Sequence, residues 1–142
     1  MTTGTINTDI ENCLRELLKN EGYSLKSKKG LAMLGPDIKA AKGGKVIYIE
    51  IADLEDLPLE KSSRFCQVFF QAVSRLNNKD CSKIVIAVPE KSKKLLSVKA
   101  RIYKVAWERI SKTFPELEVW LVNAEKNSYR KTAWDSWLSG KK

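Results

Sequence analysis

Two carboxylates, Asp37 and Glu50, flank a Gly43-Gly44 pair that lies midway between them. A two-residue glycine loop signals a β-hairpin, because both turn positions can take positive φ without a Cβ clash. Folded there, Lys42 faces Lys45, Ala41 faces Val46, Lys39 faces Tyr48 and Asp37 faces Glu50. Directly opposed residues carry Cβ atoms roughly 4.5–5.5 Å apart, where two negative charges repel unless a cation lies between them. A divalent ion meets that need. Hard cations such as Mg2+ take carboxylate, backbone carbonyl and water oxygens, and they ease the loss of a proton from bound water. The chemistry this pair suggests is metal-assisted hydrolysis.

Other chemistries are narrowed by composition. The chain has no histidine, which removes the usual general base, most zinc chemistry and any Ser-His or Cys-His nucleophile. Cys13, Cys66 and Cys81 are odd in number and far apart, and they read as small buried hydrophobes rather than a disulfide framework. What remains is carboxylates, lysines and metal-bound water. The net charge of +9 is uneven: residues 1–71 carry 10 basic and 10 acidic side chains, whereas residues 72–142 carry 16 and 7. That asymmetry favours a polyanionic partner such as DNA, with a lysine-rich solubilising surface as the plainer reading. A chain of 142 residues suits one domain spanning 1–142. No apolar run approaches the ~18 residues that cross a bilayer, and no signal peptide is evident, so a cytoplasmic protein without a membrane partner is expected.

The elements that must position the carboxylates follow from periodicity. Thr8 and Glu11 have capping-box spacing, and Ile10, Cys13, Leu14, Leu17 and Leu18 recur at helical spacing up to Gly22. An edge strand is expected over Tyr23 to Lys28, and hairpin strands over Asp37–Ala41 and Val46–Ala52. In the second of these, Ile47, Ile49 and Ile51 make the core face, and Val46, Tyr48, Glu50 and Ala52 the other. A helix from about Leu59 to Asn77 has an apolar face that includes Phe65, Cys66, Phe69 and Phe70, and a polar stripe of Arg64, Gln67, Gln71 and Arg75. Lys83 to Val88 reads as a central strand covered on both faces. One helix from about Leu95 to Thr113 should bury Leu95, Val98, Ile102, Ala106 and Ile110. Glu118 to Val122 is a last strand, and residues 128–142 are an aromatic helical tail with Trp134 and Trp137 folded back on the domain. The fold class is α/β, with a mixed sheet flanked by helices.

Gly35-Pro36-Asp37, then twelve residues, then Glu50-Ile51-Ala52 within an apolar strand resembles the PD-(D/E)xK nuclease superfamily, which includes restriction endonucleases and Holliday-junction resolvases. In element order the resemblance covers roughly residues 8 to 122. It implies a restriction-endonuclease-like αβββαβ core and a Mg2+- or Mn2+-dependent endodeoxyribonuclease. Asp37 matches the family's metal-binding aspartate, Glu50 its second acidic ligand, and Ile51 the residue whose carbonyl joins the metal. Glu11 resembles an additional acidic ligand, or is a capping-box residue. Gln67 and Gln71 lie on the helix where relatives carry an active-site glutamine. Ala52 stands where the family has a lysine that orients the attacking water. Either another cation fills that role, with Lys39, Lys61 and Arg64 as candidates, or the fold persists as a catalytically degenerate DNA-binding or protein-interaction module. Lys91, Lys93, Lys94, Arg101 and Lys104 suit phosphate contacts, beside Arg64, Gln67 and Gln71. A homodimer through the aromatic tail is a further expectation.

Overall fold

The computed structural model describes residues 3–26, 37–52 and 63–138, apart from the side chains of 3–8 and 63–65. The hairpin forms where the glycines demand it. Strands β2 (Ile38–Lys42) and β3 (Lys45–Ile51) run antiparallel with Lys42 opposite Lys45, Ala41 opposite Val46 and Lys39 opposite Tyr48. Gly43 and Gly44 have φ of 57° and 81°, the double positive value that a type I′ turn requires. A short edge strand β1 (Ser24–Leu25) pairs antiparallel with β2.

From β3 the chain crosses to parallel neighbours. Helix α2 (Ser63–Ser74), followed by a 3₁₀ turn at Arg75–Asn77, leads into β4 (Cys81–Pro89), which pairs parallel with β3. Helices α3 (Lys93–Ile102) and α4 (Lys104–Thr113) then lead into β5 (Leu117–Asn123), parallel to β4. Strand β6 (Ser128–Ala133) returns antiparallel beside β5. The result is a six-stranded mixed sheet in the spatial order β1 to β6, flanked by helices. Among the described residues no helix is long and apolar enough to cross a membrane.

Two cores lie on opposite faces of this sheet. On one, α1 (Thr3–Asn20) sets Ile10, Leu14 and Leu18 against Ile38, Ile47, Ile49 and Ile51. On the other, Val68 and Ala72 of α2, Leu96 and Ala100 of α3, and Trp107 of α4 pack on Ala52, Ile84, Ile86 and Val119. Strand β4 therefore buries both of its faces, as its unbroken apolar run requires. So does the second half of β3, where Tyr48, Glu50 and Ala52 are as buried as the isoleucines. The expectation of one core face and one open face on β3 is corrected by this second helical layer.

Several local expectations change. Helix α1 begins at Thr3, so Thr8 is an interior residue and cannot act as the cap of a Thr8-Glu11 box. The edge strand is only Ser24–Leu25, and Lys28 lies outside the described residues. The single helix expected over Leu95 to Thr113 is two, bent at Tyr103. That bend turns Trp107 inward and leaves Val98 and Ile102 exposed rather than buried. On α2, Cys66 and Phe70 face solvent instead of the core. The tail is strand β6 plus a 3₁₀ turn at Trp134–Trp137 rather than an α-helix, because the alternating Tyr129 and Thr132 pack against β5 while Arg130 and Lys131 point out.

Trp134 closes the helical face. Its ring stacks on Trp107 at 3.9 Å and 11°, and each indole N–H donates to the other residue's backbone carbonyl, at 2.8 and 3.0 Å. Two large rings are thus buried with their polar atoms satisfied. Trp134→Ala is predicted to lower stability by about 3–5 kcal/mol in urea unfolding, as large-to-small core changes do. A loss below 1 kcal/mol would show that the turn is only loosely attached.

Candidate functional site

The acidic corner is built by the end of the hairpin. Asp37 directly precedes β2, and one further step of the ladder brings it beside Glu50. Its carboxylate does not stay in solvent. Oδ2 accepts the Ile51 N–H at 2.8 Å, so the side chain stands in for the backbone carbonyl that β2 no longer supplies. Asp37, Glu50 and Ile51 are therefore gathered at the edge where β3 ends, with Ala52 fully buried next to them.

Arginines already occupy this corner. Arg75, in the 3₁₀ turn after α2, donates its Nε to Glu50 Oε2 at 2.7 Å, and the two side chains are only 14% and 5% exposed. This is a buried ion pair joining β3 to the end of the crossover helix. On the other face Arg15 of α1 donates Nε to Glu11 Oε2 at 2.9 Å, Nη2 to the Asp37 carbonyl at 2.8 Å and Nη1 to the Lys26 carbonyl at 3.1 Å. Glu11 thus orients an arginine that staples α1 to the start of β2. Its side chain approaches Asp37 only through that arginine.

Lys39 is turned away from the corner. Its ammonium lies 3.3 Å from Asp80 Oδ2 and 5.4 Å from the centre of the Tyr48 ring. The Tyr48 hydroxyl donates to Asp80 Oδ1 at 2.7 Å. Asp80 sits just before β4, at the end of the sheet where β3 begins, so this cluster is distant along the strands from Ile51. The hydrogen bond from Tyr48, and after it the one from Lys39, hold Asp80 below the usual carboxylate range. Burial first, then the bond to Asp80, push the Tyr48 phenol up.

The remaining expected residues spread over the helical face. Gln67 and Gln71 lie on the exposed side of α2. Lys61 and the side chain of Arg64 are outside the described residues. Lys91, Lys94, Arg101 and Lys104 are exposed and Lys93 is half-buried, all on the turn and helices that follow β4. Because β3 and β4 are parallel, Lys91, Lys93 and Lys94 emerge at the same end of the sheet as Glu50 and Ile51. A cleft of about 410 Å³ also opens at that end, lined in part by Asp9, Glu90, Lys91 and Glu125.

A metal does not fit this donor set as it stands. Arg75 is bonded to Glu50, Arg15 to Glu11, and among the described residues no group of three His, Cys, Asp or Glu side chains converges on one point. The repulsion expected between Asp37 and Glu50 is relieved by a guanidinium and a backbone N–H. Sequence reasoning placed Arg75 on a solvated stripe. The helix tightens to 3₁₀ winding at that residue, which breaks the stripe's spacing. Arg15 carried a legible signal in its i,i+4 spacing from Glu11.

No protein-family model matches the chain, and no curated protein matches it. Two solved structures share its fold. One is an XisH family protein from Nostoc punctiforme, 13% identical, with a TM-score of 0.58 over 87% of this chain and 98% of that one. The other is a fdxN element excision controlling factor protein from Anabaena variabilis, 14% identical, with a TM-score of 0.58 over 89% and 98%. At such identities the likeness is one of architecture.

Removing one member of a buried pair strands the other charge. Arg75→Met alone is predicted to lower stability by about 3–5 kcal/mol, and the Glu50→Met/Arg75→Met double variant by less, since two apolar groups need no partner. Equal losses in the single and double variants would mean that the pair is not the coupling. For Asp80 the pKa is depressed on folding, so its contribution is present above about pH 4 and is lost as pH falls through the folded value. Asp80→Asn should therefore melt lower than the parent at pH 7 and converge with it in acid. A constant gap across that range would contradict the Tyr48–Asp80–Lys39 cluster.

Proposed function

We propose that this chain binds DNA on a nuclease-type scaffold and leaves the phosphodiester bond intact, its acidic corner being held by arginine instead of a divalent metal. One observation carries this: Arg75 Nε lies 2.7 Å from Glu50 Oε2 with the carboxylate only 5% exposed. In the PD-(D/E)xK reading Glu50 is a metal ligand, and a ligand locked to a guanidinium has no oxygen turned toward an ion. Ala52 reinforces the same reading, because a fully buried methyl group stands where that family has its lysine. The excision-controlling name of one fold neighbour agrees with a DNA-related role.

Binding rests on charge rather than on base readout. Lys91, Lys93 and Lys94 emerge beside the end of β4 and present ammonium groups suited to phosphate oxygens, which position a duplex without reading its sequence. Three such contacts should weaken binding about 40-fold between 50 and 200 mM salt, through counterion release.

The test is duplex DNA titrated by fluorescence anisotropy at both salt concentrations, with parallel incubation of plasmid in Mg2+ or Mn2+. The expected result is salt-sensitive binding, a shallower salt slope in Lys91→Ala/Lys94→Ala, and uncut plasmid. Metal-dependent cutting that disappears in Asp37→Ala would replace this reading with the hydrolytic one. Absence of binding at low salt would remove DNA altogether.

A further inference from the structure

The helical face carries an apolar groove that the DNA reading does not use. Between α2 and the α3–α4 bend a cavity of about 310 Å³ is lined by Cys66, Phe69, Lys99, Tyr103, Ala106 and Ile110, with the stacked Trp107 and Trp134 rings also reaching it. Large apolar side chains stand exposed on the three helices that form it: Phe70 at 69%, Ile102 at 65%, Tyr103 at 56% and Val105 at 66%. Single exposed apolar residues are ordinary, but a set of them beside a concave apolar groove marks a contact surface.

The bend itself produces this set. Tyr103 takes φ −106° and ψ 42°, which separates α3 from α4, yet the segment has no proline or glycine to force it. The i to i−4 bonds persist on either side, from Tyr103 N–H to the Lys99 carbonyl at 2.9 Å and from Trp107 N–H to the Tyr103 carbonyl at 2.8 Å. Trp107 is thereby buried while its neighbours Ile102 and Val105 face outward.

Charge indicates the occupant. Residues 93–113 carry seven basic side chains and one acidic one, and Lys99 lines the groove itself. We propose that this groove docks an amphipathic helix of another protein, its apolar side chains seated over the tryptophans and its flanks acidic. Helix-in-groove recognition uses apolar anchors at i, i+3, i+4 and i+7, and the basic border selects for Glu or Asp beside them. A second copy of the chain fits poorly, because a two-fold contact would set one copy's lysines against the other's. A duplex would satisfy the lysines and leave Phe70, Ile102 and Val105 without apolar partners. A lipid surface lacks the convexity that a groove needs.

The probe is a synthetic sixteen-residue amphipathic helix with Leu and Phe anchors and Glu flanks, tested against the same peptide with Lys in place of Glu. Binding is read by calorimetry and by protection of Cys66 from a thiol reagent. Cys66 is the exposed thiol, whereas Cys13 is buried and burial pushes the Cys81 thiol up to about 11, so labelling reports on the groove. The acidic peptide should bind and shield Cys66, and the lysine peptide should bind roughly tenfold or more weakly. Val105→Asp and Lys99→Glu should each weaken the acidic peptide by a similar factor with unchanged melting, and Lys99→Glu should narrow the gap between the two peptides. Equal binding of both peptides, or none, overturns the proposal. So does loss of DNA affinity in Val105→Asp without any peptide binding, self-association abolished by Val105→Asp, or retention on anionic vesicles in place of the peptide. These results are separable from the DNA reading, which uses Lys91 and Lys94 and no apolar contact.

Discussion

A buried guanidinium-carboxylate contact governs this architecture. Glu50 lies under the crossover helix, nearly sealed from water, and a charge there is tolerable only with a partner. Arg75 supplies it from the turn between α2 and β4, so the pair fixes how the crossover returns to the sheet. An apolar pair of equal volume would serve stability as well or better. The retained charges point to an inherited acidic position whose original counter-ion has been replaced.

The same corner is tied twice more from the opposite layer. Arg15 holds the Asp37 carbonyl, and the Asp37 carboxylate caps the Ile51 N–H left bare where β2 ends. Each of the three carboxylates that a nuclease reading would assign to metal thus has a structural duty: Glu11 orients Arg15, Asp37 extends the ladder, and Glu50 neutralises Arg75. The basic residues needed for phosphate contact lie nearby on α3, whereas the apolar groove lies farther along the same layer. One scaffold therefore carries a polyanion surface and a separate apolar one.

The hairpin was legible in the sequence to the single residue pair, because Gly43-Gly44 sets the turn and the turn sets the register. Strand β4 was equally legible from its unbroken apolar run. The bend at Tyr103 was not, since leucine, valine and isoleucine keep helical spacing through it and no breaker residue marks it. Strand β6 was hidden by its own polarity: an edge strand with Arg130 and Lys131 outward looks like surface helix. In the site, the sequence brought the acids together and assigned them the wrong kind of counter-charge. Arg75 is 25 positions from Glu50, and no periodicity encodes a contact of that span.

The central claim is that arginine holds the place of a metal. It is tested most directly by titrating the unaltered protein with Mn2+ and following free ion by electron paramagnetic resonance, beside Arg75→Met. No specific site should appear in the parent at sub-millimolar Mn2+, while a weak site that needs Asp37 should emerge once the guanidinium is gone. A tight site in the parent that vanishes in Asp37→Ala would contradict the account.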